Sequence, residues 1–345
     1  MPNTRLQHIA SLIRWKDWAL DKLPILYMLC FYLMLTEGRD AWQNTADFLI
    51  FAVFSITSTI YGYVINNYAD LDIDLRQGKN NDLAAFSPAV RTGILVGITV
   101  LVLLSGSRFL VYEDFWVLWA IQFFIATFYS MPPIRFKERG LIGLIIPFAA
   151  QMVVPTLICF SIFGSLHHPH LWVFIAYAVF KGGAYDIGHQ FYDYEGDVKT
   201  STKTFAVTHG QEKVAFGFRL FLVLERLAFL AILWVWVDAI GAVITFRGLS
   251  PIWPVLGGYL LLFALLVVRE LRQKHIIDPY YQEIRGLANV LHIIIPNILV
   301  PALLTFLLSL MNSTYLVILG FYFIWVMPTP AKLKWPLQVI GKLFK

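Results

Sequence analysis

Apolar runs of membrane-spanning length follow one another along this chain and leave room for little else. A helix that crosses a bilayer needs about 20 predominantly apolar residues. By that measure the sequence predicts hydrophobic helices near residues 20–36, 46–66, 89–111, 115–131, 141–164, 170–190, 214–243, 252–270 and 288–311. A shorter run at 314–327 reads as a tenth span or a re-entrant piece. Only 14% of the residues are charged and 58% are hydrophobic, whereas a soluble domain carries about a quarter charged residues. The expected fold is all-α, a polytopic transmembrane bundle of about nine helices with ten as the upper count. No length remains for a separate soluble domain.

The charges that do occur are sorted by loop. Arg76, Lys79 and Arg91 fall in one set of loops, with Arg135, Lys137 and Arg139, then Lys199, Lys203 and Lys213, then Arg269, Arg272, Lys274 and Arg285. The basic N-terminal stretch adds Arg5, Arg14, Lys16 and Lys22, with Trp15 and Trp18 suited to a membrane interface, and no signal-peptide cleavage pattern follows it. The opposite loops offer mainly Arg39, Arg108, Arg247 and three histidines. Basic loops face the cytoplasm, so the first set is expected there. Cys30 and Cys159 both lie inside apolar runs and read as small core residues. No nucleic-acid partner is expected, and membrane lipids are.

Two acidic clusters break the apolar pattern, both on the basic side. Asn66, Asp70 and Asp74 are spaced by four at the end of one apolar run. Asp193 and Asp197 are spaced by four at the end of another, with Asp186 one to two turns earlier and His189 and Gln190 between. On a helix, residues four apart share a face. Loop topology explains Lys and Arg beside a membrane but does not call for Asp. A carboxylate late in an apolar helix is costly, which makes a role for Asp186 the default reading. His189 and Gln190 are as open to structural hydrogen bonding as to chemistry. Oxygen-rich clusters suit Mg²⁺, which is usually held by one or two carboxylates together with substrate phosphates. Arg135, Lys137, Lys199 and Lys203 fall near these clusters in loop register and suit a polyanion. No Cys/His set has zinc spacing, and neither a Walker A loop nor a dinucleotide fingerprint occurs. A diphosphate attached to a lipid-soluble group fits best.

These residues carry a family resemblance. Asn66…Asp70…Asp74 and Asp193…Asp197, with Tyr129-Ser130-Met131-Pro132-Pro133-Ile134-Arg135-Phe136-Lys137 between them, resemble in order and spacing the motifs of the UbiA superfamily of intramembrane prenyltransferases. The resemblance implies one membrane-embedded domain over 1–345, a helical bundle around a central cavity. Two similar halves, at about 20–140 and 141–285, are suggested by a weak internal echo. It implies an isoprenyl diphosphate donor and a lipophilic or aromatic acceptor. Asn66, Asp70, Asp74, Asp193 and Asp197 would hold Mg²⁺, and Asp70, Asp193 and Asp186 would act in catalysis. Asn66, Lys79, Tyr129, Arg135, Lys137, His189, Lys199 and Lys203 would contact substrate. The chain differs from many members after the first motif, where it reads Gly78-Lys79-Asn80-Asn81-Asp82 in place of a longer basic run. It also has Arg14-Trp15-Lys16-Asp17 where many have Arg-Pro. A terpene cyclase of the same superfamily, acting on the same donor, is the alternative expectation, and a cation transporter the more remote one. A polyprenyl phosphate acceptor is a related variant.

Overall fold

The computed structural model describes residues 11–199, 204–279 and 286–326. Among them the chain is all-helical, with one isolated bridge between Phe246 and Leu249. The helices follow the nine apolar runs in order: α1 Leu23–Thr36, α2 Ala41–Arg76, α3 Pro88–Ser107, α4 Glu113–Ser130 and α5 Leu141–Ile162. They continue with α6 Leu171–Lys199, α7 Gln211–Gly241, α8 Ile252–Gln273 and α9 Gly286–Met311. The run at 314–327 forms α10, Leu316–Val326, only 11 residues long. Six of these, α2, α3, α5, α7, α8 and α9, are long and apolar enough to cross a membrane. Polar and charged residues interrupt α4, at Gln122, and α6, at Lys181 and Asp186.

The two helices that carry the acidic clusters are longer than the sequence pattern suggests. The apolar run of α2 stops near Asn66, but its 36 residues continue without a break to Arg76. That is about 54 Å at 1.5 Å per residue, against about 30 Å of hydrocarbon. Asp40 caps the start of α2 by accepting from the Gln43 amide at 2.9 Å, and Gly78, at φ +68°, follows its end. Likewise α6 runs 29 residues to Lys199. The acidic clusters are therefore helical extensions of spans, not loops. A helix keeps its backbone hydrogen bonds inside itself, so it can emerge from the membrane without a break.

α6 is wedged between α5 and α7. A Cβ added at Gly182 would lie 2.7 Å from the Cβ of Phe148, and one at Gly183 would lie 2.3 Å from the Phe221 ring. These two glycines set how closely the three helices approach. In α5, Pro147 and Pro155 flank a π-helical turn, Ala149–Val153. Proline lacks an amide proton, so the regular hydrogen-bond ladder shifts there. A second π-helical stretch, Val290–Leu299, surrounds Pro296 in α9.

Behind α6 lies a buried ionic cluster that the sequence pattern does not advertise. Lys181 donates to Glu225 at 3.0 Å and to the His292 carbonyl, while His292 Nδ1 lies 2.5 Å from the other Glu225 oxygen. One residue along α7, Arg226 pairs with Glu270 at 2.9 Å. All five side chains are buried. Mutual pairing is what makes such charges tolerable away from water.

Candidate active site

The outer turns of α2 and the loop after α4 build one wall of the site. Asn66, Asp70 and Asp74 stand on a common helical face. Asp70 is held by the loop residues Lys137, in direct contact, and Arg135, at 3.3 Å. Arg135 also donates to the Ser130 carbonyl at 2.7 Å and to Glu138 at 2.8 Å. Its backbone is left-handed, φ 46°, a strained conformation for a non-glycine residue that the surrounding contacts must hold. Asp74 accepts from Asn81 at 2.9 Å, and Asn81 reaches the Asn67 carbonyl at 2.8 Å as well. Asn81 thus folds the loop after α2 back onto its own helix and orients Asp74. Lys79 donates its backbone N–H to the Asp74 carbonyl at 2.8 Å. The sequence singled out Lys79 here but passed over Asn81, whose role exists only once the loop is folded.

The end of α6 forms the second acidic surface. Asp193 is exposed and Asp197 partly buried. Burial pushes the Asp197 carboxyl up; the Thr204 hydroxyl bonds it and Lys79 attracts it, both in the opposite sense to burial, while Asp193 adds to the rise. Lys79 belongs to the first cluster's loop, so the two acidic helix ends lie within electrostatic reach at one end of the bundle. Gln190 accepts the Ala206 amide at 3.1 Å, tying α6 to the short helix Phe205–His209. This is the structural reading of Gln190. His189 packs edge-on against Tyr185, centroids 4.4 Å apart. Lys199 is the exposed last residue of α6, and Lys203 lies outside the described residues.

Between α1, α2, α4 and α5 a cavity of about 170 Å³ opens beside the first acidic cluster. Asn66, Tyr129, Tyr63, Lys22 and Gln151 line its polar end, and Leu26, Phe51, Phe54 and Ile158 its apolar end. Phe54 precedes Asn66 by twelve residues on one helix, about 18 Å of rise. Lys22 donates to Tyr63 Oη at 3.1 Å and contacts Gln151 Oε1, and its ammonium lies 4.9 Å from the centre of the Tyr185 ring. Gln151 in turn donates to Asp186 at 3.4 Å. Asp186 therefore sits behind Gln151, not on the cavity wall, and its second oxygen is buried without a hydrogen-bond partner. Tyr129 lies within electrostatic reach of both Asp186 and Asp70. Lys22, Tyr63 and Gln151 were not legible as site residues. Lys22 falls in the basic N-terminal stretch, and Tyr63 and Gln151 lie inside apolar runs with nothing in their spacing to mark them.

The residues fit a hard divalent cation. Asn66 Oδ1 is buried and has no hydrogen-bond partner, and the donors beside it on the same face, Asp70 and Asp74, are all oxygens. Among the described residues no three Asp, Glu, His or Cys side chains converge enough to hold an ion by themselves. Mg²⁺ retains waters and takes part of its shell from substrate phosphates.

Residues 24–279 match the model of the UbiA prenyltransferase family. Over 227 residues the chain is 27% identical to a 4-hydroxybenzoate octaprenyltransferase of Acidovorax ebreus (strain TPSY), spanning 62% of this chain and 72% of that protein. It superposes on a UbiA homolog from Archaeoglobus fulgidus bound to DMAPP and Mg²⁺ with a TM-score of 0.58 at 16% identity, covering 90% of this chain and 98% of that one. The apo structure of a UbiA homolog from Aeropyrum pernix K1 gives a TM-score of 0.51 at 15% identity, over 82% and 97% of the two chains. The family model spans well over half the sequence, including both acidic helix ends and the loop between α4 and α5; this chain belongs to the UbiA prenyltransferase family.

Proposed function

We propose that the protein is a Mg²⁺-dependent intramembrane prenyltransferase that moves an isoprenyl group from its diphosphate to a lipophilic or aromatic acceptor. One observation carries the reading. An apolar cavity opens at its polar end on an unpartnered amide oxygen, Asn66, one turn from a carboxylate held by Arg135 and Lys137. That is a diphosphate end joined to a hydrocarbon end. The Archaeoglobus fulgidus homolog has been solved with DMAPP and with GPP, each with Mg²⁺, and the curated relative's name gives an aromatic acceptor. Both support the assignment.

Asn66, Asp70 and Asp74, with Asp193 and Asp197 opposite, would hold the metal ions, whose charge would neutralise a leaving diphosphate and favour ionisation of the donor. The chain's own residues do the rest. Arg135, Lys137 and Lys79 bind phosphate oxygens, and the Arg135 and Lys137 contacts to Asp70 keep that carboxylate placed before substrate arrives. The apolar wall excludes water, so the allylic carbon bonds to the acceptor and not to hydroxide. Asp186, behind Gln151 and off the cavity wall, orients Gln151 and adds negative charge at the end of the cavity where the acceptor releases its proton. The basic loops put this end of the bundle at the cytoplasmic face. The two acidic helices head two related halves of one domain, α1–α4 and α5–α8.

The test is turnover by the purified protein in lipid nanodiscs. Isoprenyl diphosphates of several chain lengths are supplied with Mg²⁺, with and without phenolic acceptors, and diphosphate release and products are both measured. Prenylated acceptor that disappears with chelator is the expected result. Cyclic hydrocarbon or alcohol formed from donor alone would move the protein to the cyclases. Absence of diphosphate release under every condition would remove both enzyme readings.

A further inference from the structure

The cavity contains a polar level that a hydrocarbon chain does not need. Ser58 on α2 and Gln122 on α4 both line it, and each has a buried oxygen with no hydrogen-bond partner, Ser58 Oγ and Gln122 Oε1. Ring and hydroxyl contacts fix the register of the two helices. Phe54 packs against Phe115 and Trp119, while Tyr61 stacks on Phe123 at 4.8 Å and bonds Thr127 at 2.7 Å. Ser58 lies midway between Phe54 and Tyr61, and Gln122 falls at the matching height on α4. The pair is eight residues, about 12 Å, inward from Asn66 along α2.

Neither oxygen is idle by default. Ser55, Thr57 and Thr59 all turn their hydroxyls back onto carbonyls of their own helix, at 3.0, 2.9 and 2.8 Å. Ser58 makes no such bond. Gln122 donates its Nε2 to the Ala150 carbonyl in the π-helical turn of α5 at 2.7 Å. That bond requires the nitrogen on the Ala150 side, so the amide cannot be flipped, and its oxygen, which can only accept, is the unpartnered atom. A buried acceptor left unsatisfied costs about 1–3 kcal/mol, and a partner must bring a proton to Gln122.

We propose that Ser58 and Gln122 form a subsite that reads a hydroxyl or N–H group on the molecule filling the deep cavity. This rests on the prenyltransferase reading and deepens it: the protein selects an oxygenated or aminated ligand over an all-hydrocarbon one. The donor group comes from the acceptor or from the far end of the isoprenyl chain. A site built to hydrogen-bond a substrate hydroxyl discriminates strongly against the analogue lacking it.

The experiment measures binding to the nanodisc protein in two pairs of probes. One pair is geranyl diphosphate and its analogue hydroxylated on the terminal carbon, with Mg²⁺. The other is para-propylphenol and its methyl ether, with saturating geranyl diphosphate and Mg²⁺. The wild type is expected to prefer the hydroxylated member of one pair by at least about tenfold, and that pair identifies the source. Ser58→Ala and, separately, Gln122→Leu should bring the ratio within that pair to within about twofold of unity, the ratio being read inside each protein so that a common change in affinity cancels. Equal binding within both pairs by the wild type would overturn the proposal and leave a trapped water as the partner of these oxygens. So would a preference that survives both substitutions. If the wild type binds geranyl diphosphate in neither arm, the prenyltransferase reading fails first, and that outcome is read separately.

Discussion

Asp70 is the residue on which charge and geometry meet. It is wedged between Lys137 and Arg135 and shares a helical face with Asn66 and Asp74. Asp70→Asn removes a ligand charge with almost no change in volume. Turnover is expected to fall by at least about 10³-fold, while melting of the protein in nanodiscs stays within a few degrees, because the amide keeps the shape and still accepts from the partly buried Arg135 and Lys137. Asp186 makes a contrasting case. It is buried behind Gln151, with one oxygen unpartnered, so it reaches the acceptor only through a neighbour. For Asp186→Asn, prenylated product should drop about 10²-fold, as for loss of a group that positions a neighbour at the reacting centre, with Mg²⁺-dependent donor binding retained. Titration of donor binding against product formation separates the two steps. A parallel loss of both would make Asp186 a structural residue.

At the scale of elements, the site depends on how α6 is held. Gly183 lets the Phe221 ring of α7 approach to a distance at which any Cβ would collide, 2.3 Å. Gly183→Ala must push α7 away or tilt α6, and it is expected to lower stability by about 1–3 kcal/mol as an overpacking change and to reduce activity. Denaturation in nanodiscs and turnover measure the two effects. The loop after α2 offers a milder perturbation. Asn81 bonds both Asp74 and the Asn67 carbonyl; Asn81→Ala frees this loop and Asp74 together. We expect the Mg²⁺ concentration for half-maximal turnover to rise by about tenfold, consistent with loss of a group that orients a metal ligand. An unchanged Mg²⁺ requirement would show that Asp74 is oriented by other means.

For the whole molecule, the cluster of Lys181, Glu225 and His292 joins three helices, α6, α7 and α9, at full burial. Removing one partner of a buried pair leaves an uncompensated charge. Glu225→Gln is therefore expected to destabilise the protein by about 3–5 kcal/mol, far more than any surface substitution, as read by thermal or chemical denaturation in nanodiscs. Replacing Glu225 and Lys181 together, as Gln and Met, should recover most of that loss. Failure of the double variant to recover stability would mean that His292, not Lys181, carries the pairing.

The sequence by itself determined the class of molecule and the identity of the acidic groups. Membrane spans are legible because hydrophobic length is a local property, written in consecutive residues. The Asn66–Asp70–Asp74 and Asp193–Asp197 sets are legible because a helix converts a spacing of four into a shared face. Tertiary structure alone decided what surrounds them. Whether Lys22 lines a cavity or faces solvent, whether Asp186 touches that cavity or stands behind Gln151, and which oxygens remain without a partner all depend on contacts between helices far apart in the chain. Lys22 and Gln151 are separated by 129 residues, Lys181 and His292 by 111. No local periodicity encodes such pairings; they are settled when the helices pack, by the glycines that permit close approach and the buried charges that must find one another.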